Sequence, residues 1–132
     1  MESHPSIDEL LAHARTRIAR LTPQEAAAAQ AAGAVIVDTR DTADRWTEGI
    51  IPHSVRVTRN TLEWRADPSA ELPHAVLSDF ANDLIVVCND GYASSLAAAS
   101  LQQLGHVTAA YLIGGFWAWK RAGLPTVAAT GP

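Results

Sequence analysis

Four consecutive apolar residues, Leu84-Ile85-Val86-Val87, run directly into Cys88-Asn89-Asp90-Gly91. A strand with no polar side chain on either face belongs to a sheet covered on both sides, and such sheets are parallel with helices above and below. Cys88 then stands at the carboxyl end of a strand, the edge at which open α/β sheets bind ligands. The 132 residues are enough for one domain of this kind, with no disulfide or metal needed to hold it.

The rest of the chain keeps the same alternation. Ser6-Ile7-Asp8-Glu9 forms a capping box, and Leu10, Leu11, Ala14 and Ile18 follow at helical spacing. This predicts an N-terminal helical extension over residues 1–20, with the main domain over 21–132. Thr22-Pro23-Gln24-Glu25 is a second capping box, opening a helix through the alanines that stops at Gly33. Residues 34–37 read as a buried strand, 41–47 as a short helix, 54–57 as a weaker strand and 60–63 as a capped turn. A helix is expected over 75–81, a loop over 88–93, a helix over 94–104, a strand over 109–112 and a helix over 114–122. Gly123 and Pro125 mark its end. The class is α/β, a mostly parallel sheet between helical layers.

Backbone amides in a tight loop before a helix N-terminus point inward and favour an anion. The same setting favours a thiolate, the nucleophilic form of cysteine. Gly91 lets the loop curl, and small Ala93, Ser94 and Ser95 leave its amides accessible. The pattern is a nucleophilic sulfur in an amide cradle; the competing reading is a small buried apolar residue.

Three stretches together resemble the rhodanese family of sulfurtransferases. Asp38-Thr39-Arg40 is similar to the family's Asp-x-Arg motif. Arg45, Gly49, Ile51, Pro52 and Ser54 follow its arginine and Gly-His-Ile-Pro-Gly-Ala segment, with Ile50 and His53 replacing the usual histidine and second glycine. Gly114-Gly115-Phe116, Trp119, Ala122-Gly123 and Pro125 fit its C-terminal signature. With Cys88 and Gly91 the likeness runs from about Leu21 to Thr126.

The resemblance implies a three-layer fold with a five-stranded sheet and a persulfide-carrying enzyme. Cys88 would take a sulfane sulfur from a donor and pass it to a thiophilic acceptor. The amides of Asn89, Asp90, Gly91, Tyr92, Ala93 and Ser94 would stabilise the sulfur anion, with Thr39 at the pocket edge. No metal or organic cofactor is implied. Asp38 and Arg40 are expected to support the loop as an ion pair, a direct pocket role being the alternative. Many relatives carry a cation one, two or five places after the cysteine, where this chain has Asn89, Asp90 and Ala93. Poor use of the thiosulfate dianion is therefore expected. Arg59 and Arg65 are candidates for replacing the missing cation, against the reading of solvated surface arginines. Tyr92 either covers the cysteine or merely packs.

Composition narrows the alternatives. Fourteen acidic residues outweigh ten basic ones, Lys120 is the sole lysine, and there is no basic stripe, so nucleic acid is not an expected partner. No apolar run approaches the length of a membrane span or forms a signal peptide. One cysteine fits a reducing compartment, the cytoplasm. His4, His13, His53, His74 and His106 lack ligand spacing, so no metal site is expected. Trp119 is expected in the core, and Trp46, Trp64 and Trp117 are not read as a binding surface. The partners expected are a sulfur donor and an acceptor, small molecule or protein. Leu10 and Leu11 on one helical face suggest a homodimer contact. Two other functions stand beside the enzyme: a binding module that kept the fold without the chemistry, and a cysteine phosphatase. The latter needs a longer loop and an arginine where Ser94 and Ser95 stand.

Overall fold

The structure, a computed structural model, describes residues 4–131. Five parallel strands form one sheet: β1 (Ala19–Leu21), β2 (Val35–Asp38), β3 (Val55–Arg56), β4 (Leu84–Val87) and β5 (Ala110–Leu112). Their spatial order is β1-β5-β4-β2-β3. The central strand is therefore the apolar run that precedes Cys88, and all four of its residues are buried. Among the described residues, six α-helices cover the faces: α1 (Ile7–Arg15), α2 (Pro23–Ala31), α3 (Thr42–Glu48), α4 (Leu62–Ala66), α5 (Tyr92–Gln103) and α6 (Gly115–Arg121).

Strand alternation sorts the core into two layers. Val37, Val86 and Tyr111 face Ala14 of α1, Leu62 of α4 and Ala97 and Leu101 of α5. Ile36, Ile85, Val87 and Leu112 face Ala26 of α2 and Phe116 and Trp119 of α6. Trp119 is a core residue and donates its indole N–H to the Pro125 carbonyl at 2.9 Å. Among the described residues, no helix is long and apolar enough to cross a membrane.

Both capping boxes form: Ser6 with Glu9 opens α1, and Thr22 with Glu25 opens α2. Three expectations need correction. α1 ends at Arg15, not Ile18, and the chain then enters β1, which pairs residue by residue with β5. The boundary at residues 20 and 21 thus falls within a strand of the sheet, and Leu11, Ala14 and Ile18 are buried. Of the pair Leu10 and Leu11, only Leu10 is exposed.

The segment 75–81 is a series of turns, not a helix. The His74 ring nitrogen Nδ1 accepts from the Val76 and Leu77 amides, and the Asn82 side chain donates to the Val76 carbonyl. These side-chain bonds replace a helical ladder. Finally, α5 begins at Tyr92, so the loop is shorter than 88–93.

Candidate active site

Cys88 is the first residue after β4 and is 8% exposed. The Gly91 amide donates to its Sγ at 3.1 Å and the Ser94 amide at 3.4 Å. Ser94 Oγ, fully buried, lies 3.2 Å from the sulfur. Once the thiol is deprotonated, the Ser94 hydroxyl can turn to donate as a third partner. The sulfur thus sits in a cradle of donors at the N-terminal end of α5, whose aligned peptides add positive potential there. Asp90 Oδ1 lies 3.7 Å from Sγ on a carboxylate that also accepts from the Tyr92 amide at 3.2 Å.

Two glycines make this cradle possible. Gly91 is the N-cap of α5 at φ +92°, and a Cβ there would lie 2.9 Å from the Gly114 nitrogen. Gly115 has φ +63°, and a Cβ there would meet the Cys88 carbonyl oxygen at 2.5 Å. The reason for this close approach is a pair of hydrogen bonds from α6. The Phe116 amide donates to the Cys88 carbonyl at 2.8 Å, and the Trp117 amide to the Asn89 carbonyl at 3.1 Å. Holding both carbonyls on α6 fixes the peptide planes that begin the loop.

The end of β2 braces the other side. Thr39 donates backbone N–H and hydroxyl to the Val87 carbonyl, at 2.9 and 3.0 Å. Asp38 accepts from the Arg40 backbone and from two guanidinium nitrogens of Arg40, at 3.0–3.1 Å. Arg45 Nε lies 3.5 Å from the same carboxylate. Burial pushes the Arg45 pKa down, while Asp38 pulls it up. Arg40 also donates to the Gly49 carbonyl at 2.8 Å and stacks over Phe116, 3.8 Å from the ring centroid. Asp38 and Arg40 thus form a buried ion pair at the end of β2.

Arg59 and Arg65 are engaged elsewhere. Arg59 Nη1 donates to both carboxylate oxygens of Glu63 at 2.9 Å, and Arg65 donates to the Leu72 carbonyl. Arg15, in the last turn of α1, does reach the loop. It donates to Ser95 Oγ at 3.0 Å and to the Gly91 carbonyl at 3.3 Å. Sequence reasoning missed it, although Arg15 lies four residues after Leu11 on the helix face that turns inward. Also missed was Asp44 of α3, which accepts from the Asn89 side chain at 3.1 Å. Tyr92 is 60% exposed, so it does not close over the cysteine. His53 takes φ +64°, the left-handed conformation that glycine adopts without strain.

The family model of the rhodanese-like domain matches residues 22–122. This chain belongs to that family. It is 34% identical to the thiosulfate sulfurtransferase GlpE of Pseudomonas savastanoi pv. phaseolicola over 105 residues, covering 80% of this chain and 90% of that one. A sulfurtransferase of Allochromatium vinosum is 32% identical over 97 residues, 74% of this chain and 81% of that one. Among solved structures it resembles a protein of unknown function from Rhodopseudomonas palustris CGA009, a possible tyrosine phosphatase. The TM-score is 0.88 and the identity 32%, over 96% of this chain and 98% of that chain. That span leaves too few residues outside it to omit α1, whereas the rhodanese-like family model begins after β1.

Proposed function

We propose that this rhodanese-like domain is a sulfurtransferase that carries sulfane sulfur as a persulfide on Cys88. One observation carries the reading: the Gly91 and Ser94 amides aim at the Cys88 sulfur from the end of the central strand. In the loading step the Cys88 thiolate attacks the sulfane sulfur of the donor. A Cys88–S–S⁻ persulfide forms and the donor leaves with its bonding electron pair, as sulfite if the donor is thiosulfate. In the second step a thiophilic acceptor attacks the terminal sulfur, and Cys88 leaves as thiolate. The amide cradle stabilises the anion in both steps, the same logic that serves an oxyanion. No cofactor is needed for this exchange. A lone reactive thiol suits a reducing compartment such as the cytoplasm.

The donor follows from charge. Thiosulfate is a dianion, and the loop offers it Asp90 in place of a cation. An organic or protein persulfide, whose reacting group carries at most one negative charge where thiosulfate carries two, is the better donor. The curated relatives named as thiosulfate sulfurtransferases still make thiosulfate the first comparison. A phosphatase reading is not favoured, because Ala93, Ser94 and Ser95 put no guanidinium inside the loop.

The test is intact-mass spectrometry after incubation with thiosulfate and with glutathione persulfide. A gain of one sulfur atom, absent from Cys88→Ser, is the expected result. No sulfur adduct from either donor removes the assignment and favours a binding module.

A further inference from the structure

One peptide group of the loop is held by charges at both ends. The Gly91 carbonyl accepts from Arg15 Nη2 at 3.3 Å and from Ser95 Oγ at 2.7 Å. Across the same amide, the Tyr92 N–H donates to Asp90 Oδ1 at 3.2 Å. That carboxylate oxygen is also the one 3.7 Å from Cys88 Sγ. A guanidinium on the oxygen of a peptide polarises it and strengthens the bond its N–H makes to a carboxylate. Arg15 is itself fixed, by its bond to Ser95 and by the Tyr92 and Tyr111 rings, whose centroids lie 5.6 and 5.3 Å from its guanidinium carbon.

Gly91 needs such a hold. It has no side chain to restrict it and sits at φ +92° with its own amide on the sulfur. Pinning its carbonyl fixes the residue from the side opposite that amide.

We propose that Arg15 is a positioning residue for the Cys88 chemistry. Acting through the Gly91 carbonyl, it keeps the Gly91 amide on the sulfur and keeps the Asp90 carboxylate engaged with the Tyr92 amide, its charge offset, beside the thiolate. Arg15 lies outside residues 22–122, so this role belongs to the N-terminal helix and not to the segment shared across the family. The inference rests on the sulfurtransferase reading for its reaction but can be tested apart from it.

The test is the rate at which iodoacetamide alkylates Cys88, measured at one neutral pH. The thiolate displaces iodide from carbon, and no sulfur donor is involved. Arg15→Gln should slow alkylation about tenfold, the scale of one charge-assisted hydrogen bond. Arg15→Lys should keep the greater part of the wild-type rate. In an Asp90→Asn background, Arg15→Gln should cost only about two- to threefold, because coupled neighbours are not additive. Equal rates for wild type and Arg15→Gln overturn the proposal. A loss of the same size with and without the Asp90 carboxylate overturns the part assigned to Asp90 and leaves Arg15 acting through the Gly91 amide alone. Sulfur loading is read on the same samples by mass. A wild-type protein whose alkylation depends on Arg15, yet which takes up no sulfur, removes the sulfurtransferase assignment and leaves Arg15 in its role.

Discussion

Asp90 sets a carboxylate oxygen 3.7 Å from the sulfur of Cys88. The surrounding amides draw negative charge into the loop, while this exposed carboxylate opposes it. Removing the charge while keeping an acceptor for the Tyr92 amide should therefore favour anionic donors most. Solvent screening at an exposed site limits the effect. Asp90→Asn is expected to raise kcat/KM for thiosulfate roughly three- to tenfold. With an organic persulfide the change should stay below about twofold. Paired thiosulfate and persulfide assays check this; an unchanged thiosulfate rate removes Asp90 as the source of discrimination.

Gly115 is held to its place by contact as well as by backbone angle. A Cβ there would press to 2.5 Å on the Cys88 carbonyl oxygen and 2.6 Å on the Asn89 carbonyl carbon. Gly115→Ala should push the start of the loop off α6, costing about 1–3 kcal/mol of stability. Sulfur loading should fall more than about tenfold as the cradle loses its alignment. Gly123, at φ +75° with nothing within 4 Å, is the control. Gly123→Ala should cost about 1–2 kcal/mol from backbone strain and leave the loading rate as it was. Urea unfolding and loading kinetics on both variants make the comparison.

What could be read from residues alone depended on whether a signal was local. Leu84–Val87 is buried on both faces, so its position in the sheet follows from four adjacent letters. The Gly114-Gly115-Phe116 turn and Asp38-Thr39-Arg40 were legible because the contacts they make impose fixed residue types. β1 was not: Ala19-Arg20-Leu21 has one weak alternation and becomes a strand only through its pairing with β5. The segment 75–81 carries Ala75, Val76 and Leu77 like a helix, but His74 and Asn82 bond its backbone first. Arg15 meets Gly91 across 76 residues, a distance no motif spans. Arg59 looked free for the loop, but Glu63 four residues later takes its guanidinium.

Asp38 holds together the brace beside the loop. It is 2% exposed and faces the guanidinium groups of Arg40 and Arg45, both buried. Asp38→Asn keeps the shape and removes the charge, so two buried cations lose a shared counter-ion. Breaking a buried pair in this way costs about 3–5 kcal/mol. A urea midpoint shifted by less than about 1 kcal/mol in equivalent stability would show that the arginines are compensated elsewhere.

His74 should make the fold sensitive to mild acid. Its Nδ1 accepts from two backbone amides, which requires that nitrogen to be unprotonated. Burial first, and the Arg65 charge second, hold its pKa below the usual 6.5. The unfolded chain therefore binds a proton more readily than the folded one. The stability that depends on this difference is fully present above pH 6.5 and is lost as pH falls below it, until the folded pKa is reached. Unfolding by urea at pH 7.5 and pH 5.5 should show a lower midpoint in acid for the wild type. His74→Asn retains an acceptor at the same turn but cannot titrate, so its acid-induced loss should be smaller. Equal losses in the two proteins would assign the acid sensitivity to groups other than His74.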